Sequence, residues 1–449
     1  MDWSTLPDLA VVGLLVCAFA SVARHSHTAV SGLWQTGWIL IALHFAAFIF
    51  LPTPGFWGIV AVDVGTTALA GAGVLFMYAS IPYSKSRSTV GMLFIMLGVN
   101  TIYITLICWE SSPAWALEIA AALFGMIPLM VALYRLPRIN HPLRWTTVGI
   151  YCALSIYLLL VQNHPSTGRA LALDGLLFAV YFGCCIHFLF AYRGATAGAF
   201  ITTAGFFAWA SVFVAGPLFD TFLPKLQIES EVWNLPKYVV AVGMILLLLE
   251  SQIEHNKYLA LHDELTGLPN RRLFLDRLSI TLERARRANS KAALLVVDLD
   301  HFKQVNDTLG HHVGDVLLQD IGQVFSSRVR RSDTVARTGG DEFSIILDEP
   351  TSRENARSVA QSLMELLEEP MQLGDQLVRV GASIGTAVFP DDAPDLEALC
   401  IAADLRMYDD KHSPKDGGKP LRTTRDNSLP VIQPVLPHNL QVSPGTSHS

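Results

Sequence analysis

The stretch Ala336-Arg337-Thr338-Gly339-Gly340-Asp341-Glu342-Phe343-Ser344-Ile345-Ile346-Leu347 decides the fold of the second half of this chain. A short β-favouring segment, 334–338, leads into two glycines, and an alternating apolar segment, 343–347, follows them. Strand-like segments on either side of a Gly-Gly pair predict a tight hairpin, the glycines supplying the positive φ of its turn. Directly after the turn stand two carboxylates, Asp341 and Glu342. Adjacent acids at a strand end pack poorly into a core and suit a divalent cation. Glycines there also let a bulky ligand approach the backbone. Taken alone, the stretch is explained as well by an acidic surface hairpin, so the decision falls to its neighbours.

The 449 residues are 51% hydrophobic and 16% charged, with a mean hydropathy of +0.39. That is too apolar for a soluble protein of this length and predicts membrane spans. Ionisable residues crowd into the second half, so the chain divides near Glu250 into a membrane part and a soluble part. A formal net charge of −7 argues against a nucleic-acid partner. The six cysteines lack metal-ligand spacing and read as small buried hydrophobes. The amino terminus is acidic and no small-residue cleavage site follows, so the first apolar run is expected to stay as an anchor.

A span needs about 20 mostly apolar residues. Nine stretches are candidates: 7–23, 33–51, 56–79, 90–109, 114–134, 143–161, 170–192, 197–219 and the short 238–249. Arg24, then Lys85 and Arg87, then Arg135, Arg138 and Arg144, then Arg193 fall in every second loop. That asymmetry places the amino terminus outside and the carboxyl terminus in the cytoplasm. His44, Asp63, Glu118, Asp174 and His187 lie within spans and are expected to face the bundle interior, as a ligand or proton site or as interhelical hydrogen bonds. Trp34, Trp38, Trp57, Trp109 and Trp115 sit near span ends and read as an interfacial belt. Residues 250–262 contain no Gly or Pro and read as a helical connector, with Leu246, Leu249, Ile253, Asn256 and Ala260 at the spacing of a short coiled-coil seam.

From 263 to 412 the pattern alternates between strand and helix. Residues 292–298 read as a buried strand, 314–329 and 355–367 as amphipathic helices, 378–389 as strand and 396–411 as a final helix. This predicts one α/β sandwich domain. Residues 413–449 are rich in Pro, Ser and Thr without periodicity and read as a disordered tail. The first strand runs from Leu294 into Asp298, Leu299, Asp300 and Lys303. If it lies beside the hairpin, Asp298 and Asp341 converge on one Mg²⁺ or Mn²⁺ carrying a polyphosphate, with Lys303 as a positive donor. Asn306 and Asp315 have the chemistry to hydrogen-bond a purine edge; surface-loop and helix-cap roles explain such residues singly, with Asp307 and Asp315 as cap candidates.

The hairpin resembles the signature of the GGDEF family, the diguanylate cyclases. Four further segments match it: Asp263-Glu264-Leu265-Thr266-Gly267-Leu268-Pro269-Asn270-Arg271-Arg272, then 298–303 with Asn306-Asp307 after it, then Gly310-His311-His312-Val313-Gly314-Asp315, and Ala382-Ser383-Ile384-Gly385. After the polytopic α-helical membrane bundle (1–249) and the helical connector (250–262) read from hydropathy, the resemblance implies a cytoplasmic α/β domain (263–412) like the nucleotidyl cyclases. It implies that Asp298, the Leu299 carbonyl and Asp341 hold the metal, that Glu342 is a further acid at the reacting centre, and that Lys303 steadies phosphate charge. Gly339 and Gly340 would let the triphosphate lie on the hairpin. Asn306 and Asp315 would read guanine, with His311 beside ribose and base. Lys411 falls where the family has a phosphate-binding lysine. Lys415 stands where the family often has Arg, and a lysine there offers charge without a bidentate fork. Arg330 and Asp333 precede the hairpin at the spacing of the family's inhibitory site for cyclic di-GMP.

The activity implied is condensation of two GTP into cyclic di-GMP with release of two pyrophosphates, by a homodimer in the inner membrane of a bacterium. Two rivals stand beside it. One is a catalytically inactive GGDEF domain serving as a receptor for GTP or cyclic di-GMP. The other is a transporter-like membrane protein with an appended regulatory domain.

Overall fold

The structure, a computed structural model, describes residues 5–25, 29–80, 87–109, 111–134, 142–164, 167–192, 196–223, 230–348, 352–373, 376–412 and 433–434. Two compact units divide the chain, Met1–Glu254 and His255–Ser449.

The first unit is helical throughout: α1 (Leu6–His25), α2 (Ala29–Phe48), α3 (Phe56–Ala79), α4 (Arg87–Cys108), α5 (Ala114–Tyr134), α6 (Pro142–Val161), α7 (Gly168–Ala191), α8 (Ala197–Phe222) and α9 (Ser230–Leu261), the last running on past the unit's end. Among the described residues, six helical stretches are long and apolar enough to cross a membrane: Phe56–Ala79, Val90–Cys108, Ala114–Leu133, Gly168–Ala191, Ala197–Phe222 and Val232–Leu261. The candidates at 7–23 and 143–161 fall on α1 and α6. The candidate at 33–51 is helical as far as Phe48, in α2. The short candidate 238–249 is the middle of the single helix α9.

Two expectations for this unit need correction. Trp34 and Trp38 are not interfacial: they are 2% and 0% exposed. Their rings pack against Phe19, Phe76 and Phe188, because the interior of a many-helix bundle has room for bulky rings that a lipid-facing stripe does not need. Glu118 does not face the interior either. It is exposed near the start of α5, where Asn163 reaches it at 3.3 Å. His44 and His187 are buried, bonded to the Gly65 carbonyl and to the Thr147 hydroxyl. Asp8, Asn234, Lys237 and Tyr238 form a polar cluster that joins α1 to α9.

The second unit is built on β1 (Ala292–Asp300), β2 (Thr334–Arg337), β3 (Glu342–Leu347), the short pair β4 (Met371–Leu373) and β5 (Gln376–Val378), and β6 (Gly381–Phe389). Its main sheet has the order β2-β3-β1-β6 with every neighbouring pair antiparallel. Helices α10 (Arg271–Ala288), α11 (Phe302–Leu309), α12 (His311–Arg328), α13 (Arg353–Glu368) and α14 (Leu396–His412) cover it. A minor sheet pairs β4, β5 and β7 (Gln433–Pro434). Side chains alternate across a strand, and β1 uses both faces. Ala293, Leu295, Val297 and Leu299 bury against α11, α12 and α13, while Ala292 and Leu294 pack towards α10 and α14. Asp298 is in register with this second set and therefore faces α14. Gly385 on β6 brings that helix in: a Cβ there would lie 1.9 Å from the Ala403 carbonyl oxygen and 2.3 Å from the Met407 nitrogen.

The hairpin differs from the sequence-based expectation. Its turn is four residues wide, 338–341, closed by bonds from the Thr338 and Gly339 amides to the Glu342 carbonyl at 3.0 and 3.3 Å. Neither glycine of the turn has a positive φ; among the described residues of this unit the positive-φ glycines are Gly267 and Gly310. Gly339 lies beside Glu342 instead: a Cβ there would come 2.6 Å from the end of that exposed side chain, which can swing aside, and 3.1 Å from its Cβ. The helix α10 is not among the elements read from sequence, although Asn270 caps it by accepting from the Arg272 and Leu273 amides.

Asp392 ties the far end of the sheet together. Its carboxylate accepts from Arg406 on α14 at 2.8 Å, from Arg353 on α13 at 2.7 Å and from the Val388 amide at 2.7 Å. The Arg406 bond, opposed by burial and reinforced by Arg353 and the amide, holds this carboxyl well below the usual carboxylate range. A depressed folded-state value stabilises the fold above the ordinary Asp pKa and loses that stabilisation as the pH falls through the folded value. Asp392→Asn should therefore lower the thermal midpoint near neutral pH, and the gap to wild type should narrow below about pH 4. A gap that stays constant from neutral to acidic pH contradicts this.

Candidate active site

The acids of β1 and of the hairpin meet at one end of the sheet. Antiparallel pairing sets Asp298 directly opposite Glu342, and on its other side opposite Ser383. Directly opposed residues share a face with Cβ atoms about 4.5–5.5 Å apart. Asp341 lies one residue before β3, and its carbonyl accepts the Leu299 amide at 3.2 Å. The strand end carrying Asp298 and Leu299 and the turn carrying Asp341 are thus stitched together by backbone. Asp298 is 8% exposed, whereas Glu342 is exposed and Asp341 half-buried. Asp300, next along the same face of β1, accepts the Ser383 hydroxyl at 2.8 Å.

A cation is already present. Lys411, in the last turn of α14, reaches across with its Nζ 2.6 Å from Asp298 Oδ1. That hydrogen bond, with the further attraction of Asp298, Asp341 and Asp300 outweighing burial, raises the Lys411 pKa above its ordinary value. Asp410, the preceding residue, accepts the Ile384 amide at 3.2 Å and anchors this turn of α14 to β6. Oxygen donors at one strand end that draw an ammonium suit a hard divalent ion such as Mg²⁺ or Mn²⁺. The donors that could hold it are the carboxylates of Asp298 and Asp341 and the Leu299 carbonyl. Among the described residues no cluster of three or more His, Cys, Asp or Glu side chains is gathered for a metal. Two carboxylates and a carbonyl form a smaller set than that.

The other expected residues line the two helices that follow β1. Lys303 is exposed at the start of α11 and Asn306 half-buried near its end. Asn306 lies against Gly314 of α12, where a Cβ would fall 1.9 Å from Asn306 Oδ1. Gly310, at φ 88°, turns the chain between the two helices. His311 and Asp315 are exposed in the first turns of α12. Neither Asp307 nor Asp315 caps a helix: both sit inside one, and the residues flanking the helix starts are His301 and Gly310. Asp333 accepts from the Arg330 amide at 2.8 Å and from the Asp348 amide at 3.1 Å, so its carboxylate shapes the turn before β2. Lys415 lies outside the described residues.

Sequence reading missed one contributor. Arg337, at the end of β2, donates from Nη2 and Nε to the Gly340 carbonyl at 2.7 and 3.2 Å. Its Nη1 pairs with Asp263 at 2.9 Å. Asp263 also accepts the Thr266 amide and hydroxyl, at 2.9 and 2.8 Å. Asn270 closes the same turn by bonding the Leu261 and Ala260 carbonyls at the end of α9. Arg337 therefore links the turn after α9 to the acidic hairpin. The only sequence signal was an arginine on a strand otherwise free of charge.

Residues 260–417 match the family model described as diguanylate cyclase, GGDEF domain. Over 388 residues the chain is 31% identical to the bifunctional diguanylate cyclase/cyclic di-GMP phosphodiesterase MucR of Pseudomonas aeruginosa, covering 80% of this chain and 54% of that protein. Over 148 residues it is 40% identical to the diguanylate cyclase TpbB of the same organism, covering 33% of this chain and 34% of that one. The solved GGDEF domain of TpbB is 40% identical, covers 33% of this chain and 88% of the solved chain, and superposes with a TM-score of 0.33. The chain spans about half the length of MucR and a third of TpbB.

The Arg337 link makes a prediction. Arg337→Met removes charge-assisted bonds at both ends, so amide exchange in 263–268 and in 338–342 should speed up together, by about tenfold or more. Acceleration in one segment alone, or in neither, counts against a coupled link.

Proposed function

We propose, for a chain that belongs to the GGDEF diguanylate cyclase family through residues 260–417, that it condenses two GTP into cyclic di-GMP and releases two pyrophosphates. The observation that carries this reading is the stitched strand end. Asp298 stands opposite Glu342, and the Leu299 amide bonds the Asp341 carbonyl, so the acids needed at one phosphate site are gathered by sheet register.

In this reading Asp298, Asp341 and the Leu299 carbonyl hold Mg²⁺ or Mn²⁺. When bound, such an ion neutralises phosphate charge and favours the 3′-alkoxide. Lys303 and Lys411 steady the triphosphate, with Lys415 as a further cation. Gly339 and Gly340 leave the hairpin open to it. Asn306 and Asp315 bond the guanine edge, and His311 stands beside base and ribose. Glu342 or Asp341 accepts the 3′-hydroxyl proton. Each 3′-hydroxyl must attack the α-phosphorus of the other nucleotide, so two copies face each other across a two-fold axis. Exposed Ile253, Tyr258 and Leu259 on α9 supply apolar surface for pairing. The inner membrane of a bacterium, with residues 263–412 in the cytoplasm, is the location that fits the basic loops. Signals received by the membrane helices then set whether the two domains meet in productive geometry.

Purified full-length protein with GTP and Mg²⁺ should produce cyclic di-GMP, and Asp341→Ala should cut the rate by about a hundredfold or more. A dimer that binds GTP and forms no product instead favours the receptor reading, in which the same domain reports nucleotide without turnover.

Arg330 and Asp333 are the proposed inhibitory site for the product. Asp333 also shapes its turn, so Arg330 is the cleaner probe. Arg330→Ala should raise the cyclic di-GMP concentration needed for half-inhibition by about tenfold or more, the loss of a hydrogen bond to a charged group. An unchanged dose–response removes this assignment.

A further inference from the structure

The carboxylate on which the ion site depends is already neutralised from within the chain. Lys411 Nζ lies 2.6 Å from Asp298 Oδ1, with side-chain exposures of 42% and 11%. The approach is built rather than incidental. Gly385 admits α14 to near contact with β6. Leu399, Ala403 and Met407 bury the inner face of α14. Asp410 bonds the Ile384 amide one residue before the lysine. These restraints hold the last turn of α14 over the end of β1, where Asp298 faces it.

A divalent ion and an ammonium repel each other strongly at contact distance. They cannot share Asp298 Oδ1 without cost. Lys303, the other cation expected at the site, is exposed on α11 and forms no ion pair among the described residues. The two lysines therefore differ in kind, one seated on the carboxylate and one free of it.

We propose that Lys411 is the resident counter-ion of Asp298 in the nucleotide-free protein and competes with the divalent ion for that carboxylate. Loading of the ion releases the ammonium, which becomes a donor for the polyphosphate at the same strand end. Ion and nucleotide binding are then coupled through one side chain: the ion frees the lysine, and the phosphate gives the lysine a second partner. The polyphosphate part rests on the cyclase reading, whereas the competition itself does not.

The test is Mn²⁺ binding to the full-length protein in detergent without nucleotide, followed by the electron paramagnetic resonance signal of free Mn²⁺. Asp298→Ala locates the binding at this site by abolishing the protein-dependent loss of that signal. Lys411→Met should bind Mn²⁺ about two- to fivefold more tightly than wild type, the scale of a partly exposed ion pair. Lys303→Met should change affinity less, since it removes a charge without freeing the carboxylate. Lys411→Gln repeats the measurement with a polar side chain, and an unchanged thermal midpoint certifies folding of each variant. Unchanged or weaker Mn²⁺ binding in both Lys411 variants overturns the proposal, as does equal tightening in Lys303→Met. Wild-type protein with no Mn²⁺ binding that Asp298→Ala removes defeats the ion site itself and this inference with it. Wild-type binding that ignores Lys411 defeats the inference alone.

Discussion

The antiparallel pairing of β1 with β3 is the constraint on which the site depends. A strand pair allows few registers, and a slip of one residue turns every side chain to the opposite face. Here the register is fixed by burial on both faces. Leu295, Val297, Phe343 and Ile345 belong to the core under α12 and α13, while Leu294 and Ile346 belong to the core under α10 and α14. With those residues placed, Asp298 has no alternative to standing opposite Glu342, and Leu299 none to bonding Asp341. The acids are costly neighbours, since like charges directly opposed destabilise a sheet. The apolar register holds them together, and Lys411 offsets part of the repulsion.

Two further links reach the same strand end from elsewhere in the second unit. Helix α14 arrives through the space left at Gly385 and brings Lys411. The turn after α9 arrives through Asp263 and Arg337, which is 13% exposed at the side chain and bonded to the carbonyl of Gly340. Because α9 is one helix from Ser230 to Leu261, the turn that Arg337 grips begins where that helix stops. In the first unit α9 carries Asn234 and Tyr238, which donate to Asp8 of α1, and Lys237, which donates to Asn234.

Much of this was legible in the sequence, for physical reasons that also set the limits. Apolar alternation located β1, β3 and β6, and helical periodicity located α12, α13 and α14. Adjacent carboxylates at two strand ends suggested a shared site, and the sheet sets Asp298 opposite Glu342. What periodicity does not encode is contact at long range: Lys411 and Asp298 are 113 residues apart, and Arg337 and Asp263 are 74 apart. The glycines of the hairpin were recognised but explained wrongly, because composition does not report φ, and neither adopts the positive value expected of it. Trp34 and Trp38 misled similarly. Their nearness to a helix end suggested the interface, but lipid-facing and bundle-facing sides of α2 are equally apolar, so only packing reveals which side they take.

Diffraction from crystals grown with Mn²⁺ and a non-reacting GTP analogue tests the central claim most directly. Anomalous scattering should place an ion about 2.1 Å from a carboxylate oxygen of Asp298 and, at a like distance, from one of Asp341. An ion held at one of the two strand ends alone, or bound away from both, contradicts the account.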